Sequence, residues 1–249
     1  MALLETKVAL ITGGGGGIGS AIARRLAREG ARIAVADIDG ETAKSRAAEI
    51  AGQGDEAIPI IADVTNKHSV QQMVQATLRR WGKLDILVNV AGGAQIKPVV
   101  DIEDSDWDHI IDMNLKSVFL CSQAVLPTMI KQRYGKIVSI SSIYGFTGNA
   151  TRSSYAAAKA GIAVFTKSLA LEVVNNHINV NAIAPGRVAT ARVRGHYSDE
   201  EWAEQVALIP MGRPGTPEEI ASAALFLVLD ENEYITGQTI HVNGAWLNW

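Results

Sequence analysis

Tyr155 and Lys159 stand four residues apart in the stretch S-I-Y-G-F-T-G-N-A-T-R-S-S-Y-A-A-A-K, which runs from Ser142 to Lys159. Alanine fills the three positions between them, so the spacing predicts a helix with both side chains on one face, one turn apart. Ser153 or Ser154 is expected to cap its start. A phenol beside an ammonium near a helix N-terminus is suited to proton transfer, because the ammonium and the helix dipole both favour the phenolate. A free tyrosine has a pKa of about 10, and bringing it to about 7 takes roughly 4 kcal/mol. A unit charge at ~4 Å in an effective dielectric of ~20 supplies about that much. The expected chemistry is acid–base catalysis by Tyr155, with Lys159 lowering its pKa. By itself the stretch also fits a surface tyrosine and a solvated lysine on an alanine-rich helix, so the elements around it must decide.

Those elements alternate. Short apolar runs at Val8–Ile11, Ile33–Ala36, Ala57–Ile61, Leu84–Val88, Lys136–Ile140, Ile178–Ile183 and Thr239–Val242 read as strands. Amphipathic stretches near 18–29, 41–51, 67–81, 104–131, 155–174 and 217–229 read as helices. The rhythm predicts the α/β class: a doubly wound, seven-stranded, mostly parallel sheet with helices on both faces. The continuous apolar character of the runs predicts burial on both sides. No linker or repeat divides the chain, so residues 1–249 are expected to form a single domain. The stretch 191–211 breaks the rhythm before the seventh strand and holds Arg192, Arg194, His196, Tyr197 and Trp202 ahead of Pro210.

The composition, 47% hydrophobic and 20% charged with net charge −3, is that of a globular protein and offers no basic surface for nucleic acid or an anionic membrane. No apolar window of about 18 residues is present to span a bilayer. The first residues, M-A-L-L-E-T-K, lack a basic region followed by an apolar run, and a cytoplasmic location is expected. Cys121 is the single cysteine and lies in an apolar run, which predicts a core residue. The five histidines are scattered without metal-ligand spacing, so no metal is expected.

The first strand runs into Thr12-Gly13-Gly14-Gly15-Gly16-Gly17-Ile18-Gly19, and a helix follows to Glu29. A glycine-rich turn there lets the backbone approach a diphosphate, whose charge the helix N-terminus favours. That is the Rossmann-type arrangement, although glycines alone would also make a flexible loop. Asp37 ends the second strand, where a carboxylate accepts from the 2′- and 3′-hydroxyls of a ribose and repels a 2′-phosphate. A turn role before Asp39-Gly40 is the alternative. With no basic residue at Gly16 or Ile38 to offset Asp37, NAD is expected over NADP. Asp63 and Val64 close the third strand, where Asp63 could reach an adenine edge or cap the helix beginning near Asn66.

Taken in order, these residues resemble the short-chain dehydrogenase/reductase family over almost the whole length. Its T-G-x-x-x-G-I-G motif matches Thr12 to Gly19, so Gly13, Gly17, Ile18 and Gly19 are candidate cofactor residues. Its N-N-A-G turn matches Asn89, Ala91 and Gly92, with Val90 in the second place. Its Y-x-x-x-K matches Tyr155 and Lys159, its serine thirteen residues upstream is Ser142, and its helix asparagine is Asn114. Its P-G motif matches Pro185-Gly186, with Val188 and Thr190 following toward the nicotinamide. Ile235-Thr236-Gly237-Gln238 fits, while the usual V-D-G-G stands as Val242-Asn243-Gly244-Ala245.

The resemblance implies an enzyme moving hydride between a nicotinamide cofactor and a carbon bearing oxygen; with Asp37 favouring NAD, the expected reaction runs between NAD(H) and a small-molecule secondary alcohol or ketone. Tyr155 is the acid–base group, Ser142 orients the substrate oxygen, Lys159 also binds the nicotinamide ribose, and Asn114 holds a water that links Lys159 to solvent. It also implies a substrate lid at about 191–211 and a homotetramer. Gln95, Tyr144, Asn149 and Arg187 are candidate substrate residues, and the terminal Ala245-Trp246-Leu247-Asn248-Trp249 is expected on a neighbouring subunit, on a pocket edge or on its own sheet. The small residues Ala156, Ala157, Ala160, Gly161 and Ala163 could pack a neighbouring subunit or the chain's own sheet. Two other functions stay open: an NADPH-dependent 3-oxoacyl-thioester reductase and a non-catalytic nucleotide-binding regulator.

Overall fold

The computed structural model describes residues 2–248, which leaves Trp249 outside the described residues. In chain order the elements are β1 Val8–Thr12, α1 Gly17–Arg28, β2 Arg32–Asp37, α2 Gly40–Gly52, β3 Ala57–Ile61, α3 Lys67–Trp81, β4 Ile86–Asn89, α4 Asp104–Ile111 and α5 Ser117–Gln132. There follow β5 Gly135–Ile140, α6 Tyr144–Thr147, α7 Ser153–Val173, β6 Ile178–Pro185, α8 Ala191–Arg194, α9 Asp199–Ala207, α10 Pro217–Val228 and β7 Thr239–Val242. The strands form one sheet in the order β3-β2-β1-β4-β5-β6-β7, and every pairing is parallel.

The apolar runs make strands because both of their faces are covered. Every residue of β1, β4, β5 and β6 is buried. One core packs Ile22 and Leu26 of α1 and Ala224 and Val228 of α10 against the sheet. The other packs Met73 of α3, Cys121 and Met129 of α5 and Leu169 of α7 on the opposite face. Cys121 is the core residue expected, and burial pushes its thiol up to about 12. The edge strands depart from two-sided burial: β3 is only partly covered, with Ile61 65% exposed, and β7 is half-buried throughout. An edge strand has one neighbour and less helix over it, so its apolar residues stay partly in water.

Two local features differ from the expected helices. The stretch 104–131 is not one helix, because a single π-turn at Asp112–Lys116 separates α4 from α5. Its wider i→i+5 winding absorbs one residue and turns Asn114 inward, fully buried. At the start of α7 neither serine caps. Arg152 takes the N-cap position without a side-chain cap bond, and Ser153 and Ser154 fall in the first turn. The chain reaches that point from Thr151 in the left-handed region (φ 64°), which places the helix start one residue earlier than the serine signal.

Ala160, Gly161 and Ala163 of α7 meet other parts of the chain, whereas Ala157 is exposed. A Cβ on Gly145 of α6 would stand 2.7 Å from the backbone of Lys159 and Ala160, and one on Gly161 would stand 2.7 Å from Leu115. Val164 and Leu171 of the same helix are exposed. Among the described residues no helix is long and apolar enough to cross a membrane.

The strand order reverses between β1 and β4, and the carboxyl ends of the strands there open a crevice, the usual ligand position in such sheets. The glycine turn after β1, the Val90–Gly93 turn after β4, Ser142 after β5 and the Gly186–Thr190 turn after β6 all lie at that end. The fold thereby gathers residues that are far apart in sequence.

Candidate active site

A cleft of ≈1110 Å³ runs along the carboxyl edge of the sheet. At one end the glycine turn brings backbone close to its neighbours. Gly13 is left-handed (φ 62°), and a Cβ there would meet the Ala91 backbone at 2.9 Å. A Cβ on Gly19 would overlap the Gly13 carbonyl oxygen at 2.1 Å, so only glycine lets α1 begin this close to the turn. Gly16, by contrast, faces open space at the cleft, and the Thr190 methyl approaches Gly17 from across it. Thr12 ties the floor together, its hydroxyl accepting from the amides of Val90 (3.1 Å) and Ala91 (3.4 Å).

Asp37 and Asp63 line the same end. Asp37 accepts from Gly15 N at 3.1 Å and from Asp39 N at 3.2 Å. The cap of α2 is supplied by Asp39, which accepts from the amides of Glu41 and Thr42, so Asp37 is not needed for it. Asp63 likewise is not the cap of α3; Asn66 is, accepting from Ser69 N at 3.1 Å. Asp63 forms a turn with Thr65 through one oxygen, and among the described residues its other oxygen in the cleft wall has no protein partner. The glycine cradle, the free lone pairs of Asp37 and Asp63 and the size of the cleft fit an extended dinucleotide.

The catalytic candidates meet at the middle of the cleft, which Asn114, Ser142, Tyr155 and Lys159 all line. Lys159 is buried, donates to the Ile140 carbonyl at 2.8 Å, and has its ammonium 5.5 Å from the centre of the Tyr155 ring. Ser141 holds that turn of α7 by donating to the Lys159 carbonyl at 2.8 Å. Ser142 is buried, accepts from Tyr144 N at 3.2 Å, and its hydroxyl bond to the Tyr155 phenol favours the phenolate. Asn114 donates to the carbonyls of Gly93 (2.8 Å) and Ile110 (2.9 Å) and accepts from Gly93 N at 3.3 Å. Its carboxamide therefore pins the β4 turn and leaves one acceptor lone pair on its oxygen.

The electrostatics correct one expectation. Burial pushes the Tyr155 phenol up from its ordinary value, only partly opposed by Ser142 and by the positive charges of Arg152 and Arg192. Lys159 is not among the groups that lower it. The same burial lowers Lys159 itself to about 7. Spacing alone supplies the Coulomb attraction of an ammonium, whereas desolvation penalises both charged forms at once. Because the folded lysine releases its proton near 7 and the unfolded one near 10.5, the unfolded chain binds more protons in that window, and stability rises with pH across it. The expected result is that the unfolding free energy of the cofactor-free protein, relative to Lys159→Met, is flat below about pH 7 and then rises by up to about 1.4 kcal/mol per pH unit. Urea titrations of both proteins from pH 6 to pH 9.5 check this, and a constant difference contradicts it.

At the other end lie Tyr144, Arg152, Gly186, Arg187, Arg192, His196, Tyr197 and Trp246. Tyr144 and Trp246 meet edge to face at 6.2 Å, which puts Trp246 on the pocket edge. The stretch 191–211 forms the short helices α8 and α9 beside the cleft. Arg194 is neutralised there by Asp199, and Arg192 donates to the Gly92 carbonyl at 3.0 Å.

A family model described as Enoyl-(Acyl carrier protein) reductase matches residues 14–246. The chain is 42% identical to the 3-oxoacyl-(acyl-carrier-protein) reductase FabG of Thermotoga maritima over 244 residues, covering 97% of this chain and 98% of that protein. It is 43% identical to the Vibrio cholerae FabG over 243 residues (97% and 98%) and 42% identical to that of Escherichia coli over 242 (97% of each). The chain belongs to the short-chain dehydrogenase/reductase family. The crystal structure of gox2181 superposes with a TM-score of 0.95 at 35% identity, covering 99% of this chain and 97% of that one.

Within this short-chain dehydrogenase/reductase, several expected site residues lie off the cleft. Asn89 is buried between strands and donates to the Ser139 hydroxyl at 3.2 Å. Pro185 ends β6 behind Gly186, and Gly19 packs on Gly13. Gln95 donates to Asp106 at 2.9 Å, on the carboxylate that Lys97 also grips and holds near 2. Asn149 is exposed, outside the lining. Gly13, Gly17, Ile18, Asp37, Asp63, Val64, Ala91, Gly92, Gly186, Val188 and Thr190 do line it, as do Tyr144 and Arg187. Arg152 was not singled out by motif. Its signal is its place three residues before Tyr155, close to one turn back, at the mouth of the cleft.

Proposed function

We propose that this short-chain dehydrogenase/reductase moves hydride between NAD(H) and a secondary alcohol or ketone. The observation that carries the reading is the meeting of Ser142, Tyr155 and Lys159 in one cleft whose far end presents Asp37. A bound nicotinamide supplies the hydride acceptor or donor. In alcohol oxidation the Tyr155 oxygen takes the hydroxyl proton, and in ketone reduction it returns one. Ser142 holds the substrate oxygen beside it by hydrogen bonding. Lys159, titrating near 7, is poised to pass the proton on toward Asn114. Asp37 reads a ribose bearing free hydroxyls, the glycine turn takes the diphosphate, and residues 191–211 act as a lid. The site residues, the lid and a homotetramer with the exposed Val164 and Leu171 on its contact faces are all parts of this proposal.

A second reading, reduction of 3-oxoacyl thioesters with NADPH, draws support from the FabG relatives, which weigh more toward it than toward a simple alcohol. The same side chains perform ketone reduction in both. A non-catalytic nucleotide binder has no need of all four of Asn114, Ser142, Tyr155 and Lys159. Initial rates with NADH and NADPH separate the readings, using simple ketones and the N-acetylcysteamine thioester of acetoacetate as substrates. Faster turnover with NADH on simple ketones supports the first; preference for NADPH and the thioester establishes the second.

A further inference from the structure

Arg187 follows the P-G turn and lies 9% exposed in the wall of the cleft. Its guanidinium donates to the hydroxyls of Tyr197 (3.1 Å) and Tyr144 (3.3 Å) and to the Gln205 carboxamide oxygen (2.5 Å). Its Nε is buried and, among the described residues, has no hydrogen-bond partner. Every acceptor is neutral, and among the described residues Arg187 forms no ion pair, in a protein where Arg194 and Arg213 each pair with a carboxylate. The rings of Tyr197, Trp202 and Trp246 lie 5.1 to 6.0 Å from it and shield it from water. A buried cation costs free energy until an anion meets it.

The neighbourhood adds a second positive charge. Arg152 donates to the same Tyr197 hydroxyl at 3.1 Å, so two guanidinium groups sit within two hydrogen-bond lengths of each other. Four carboxylates, Asp199, Glu200, Glu201 and Glu204, are carried by α9, yet all four are exposed and the residue that α9 turns to Arg187 is the neutral Gln205. Of the acidic residues lining the cleft, Asp37 and Asp63 belong to the opposite end, and Asp112 is paired with Lys116. A latch holding the lid would be complete with Tyr197, Trp202 and Gln205 alone. It has no use for a second cation on the shared hydroxyl.

We propose that Arg187, assisted by Arg152, binds a carboxylate of the substrate, so that the alcohol or ketone is a hydroxy or oxo acid held by its anionic end while its carbinol carbon faces Tyr155. The inference rests on the hydride-transfer reading above. The planar guanidinium fork suits a carboxylate better than a diffuse charge does. Arg187 is here a substrate-binding residue, and Tyr197 and Gln205 position it.

The test compares 3-hydroxy, 4-hydroxy and ring-borne hydroxy acids, each with its methyl ester, in the purified full-length protein with its cofactor. For at least one pair kcat/KM is expected to favour the acid by about thirtyfold or more. Arg187→Met is expected to bring that acid-to-ester ratio to about one, Arg187→Lys to restore part of it, and Arg152→Gln to lower it less. A non-reacting carboxylate, cyclohexanecarboxylate, should also quench Trp202 and Trp246 fluorescence saturably where its carboxamide does not. Esters used as well as acids, or a ratio unchanged in Arg187→Met, overturn the proposal and leave Arg187 a lid latch. Absence of turnover with every alcohol and ketone counts against the hydride-transfer reading instead, while carboxylate quenching that depends on Arg187 still stands for the anion site.

Discussion

Tyr155→Phe is expected to lower kcat by roughly 10³-fold, within the range that a positioned acid–base group contributes, while NADH binding changes little. The substitution removes one oxygen and keeps the ring against which the Lys159 ammonium lies at 5.5 Å. Folding and the cofactor end of the cleft are therefore untouched. In the wild type, oxidation needs the phenolate, so its rate should climb with pH until the phenol has titrated. Burial holds that titration high in the cofactor-free protein, and Ser142, Arg152 and Arg192 work against it. The variant should lose the climb along with the rate. Stopped-flow turnover and fluorescence titration with NADH read the two effects separately, and wild-type turnover in the variant refutes the role.

Asp37→Ser is expected to shift the NADP-to-NAD ratio of kcat/KM toward NADP by roughly 10³-fold. At effective dielectrics near ~20, a carboxylate within ~4 Å of a 2′-phosphate imposes about 4 kcal/mol of repulsion per charge pair, and the variant removes it. Serine keeps an oxygen that can accept from Gly15 N, the contact by which Asp37 fixes the glycine turn. The readout is the ratio of kcat/KM values for the two cofactors, and an unchanged ratio means that Asp37 does not read the ribose.

Residues that act through local spacing were legible in the sequence. The glycine turn, Asp37 and the Tyr155–Lys159 pair each belong to a single strand–turn or one turn of helix, so periodicity and turn chemistry place them. The π-turn around Asn114 was not legible, because one residue of extra winding leaves no mark on an apolar pattern. The upward pressure on the Tyr155 phenol was missed for a related reason: an ammonium four residues away is visible in the chain, but the desolvation of the buried Lys159 and the half-buried Tyr155 is a property of the folded cleft. The cluster of Arg152, Arg187, Tyr197, Gln205 and Trp246 draws on residues spread from 152 to 246, and only the sheet topology brings them to one wall. Asn89 and Gln95 show the converse. They sit at the right place in a motif or beside one, yet Ser139 and Asp106 engage their side chains away from the cleft.

Hydride transfer itself is tested most directly by isotope. With NADH carrying deuterium at both C4 positions and a panel of ketones and oxo acids, the alcohol formed should carry one deuterium on its carbinol carbon, measured by mass spectrometry. Its appearance should depend on Tyr155. Alcohol formed without that deuterium, or no alcohol formed from any member of the panel with either NADH or NADPH, would contradict the account.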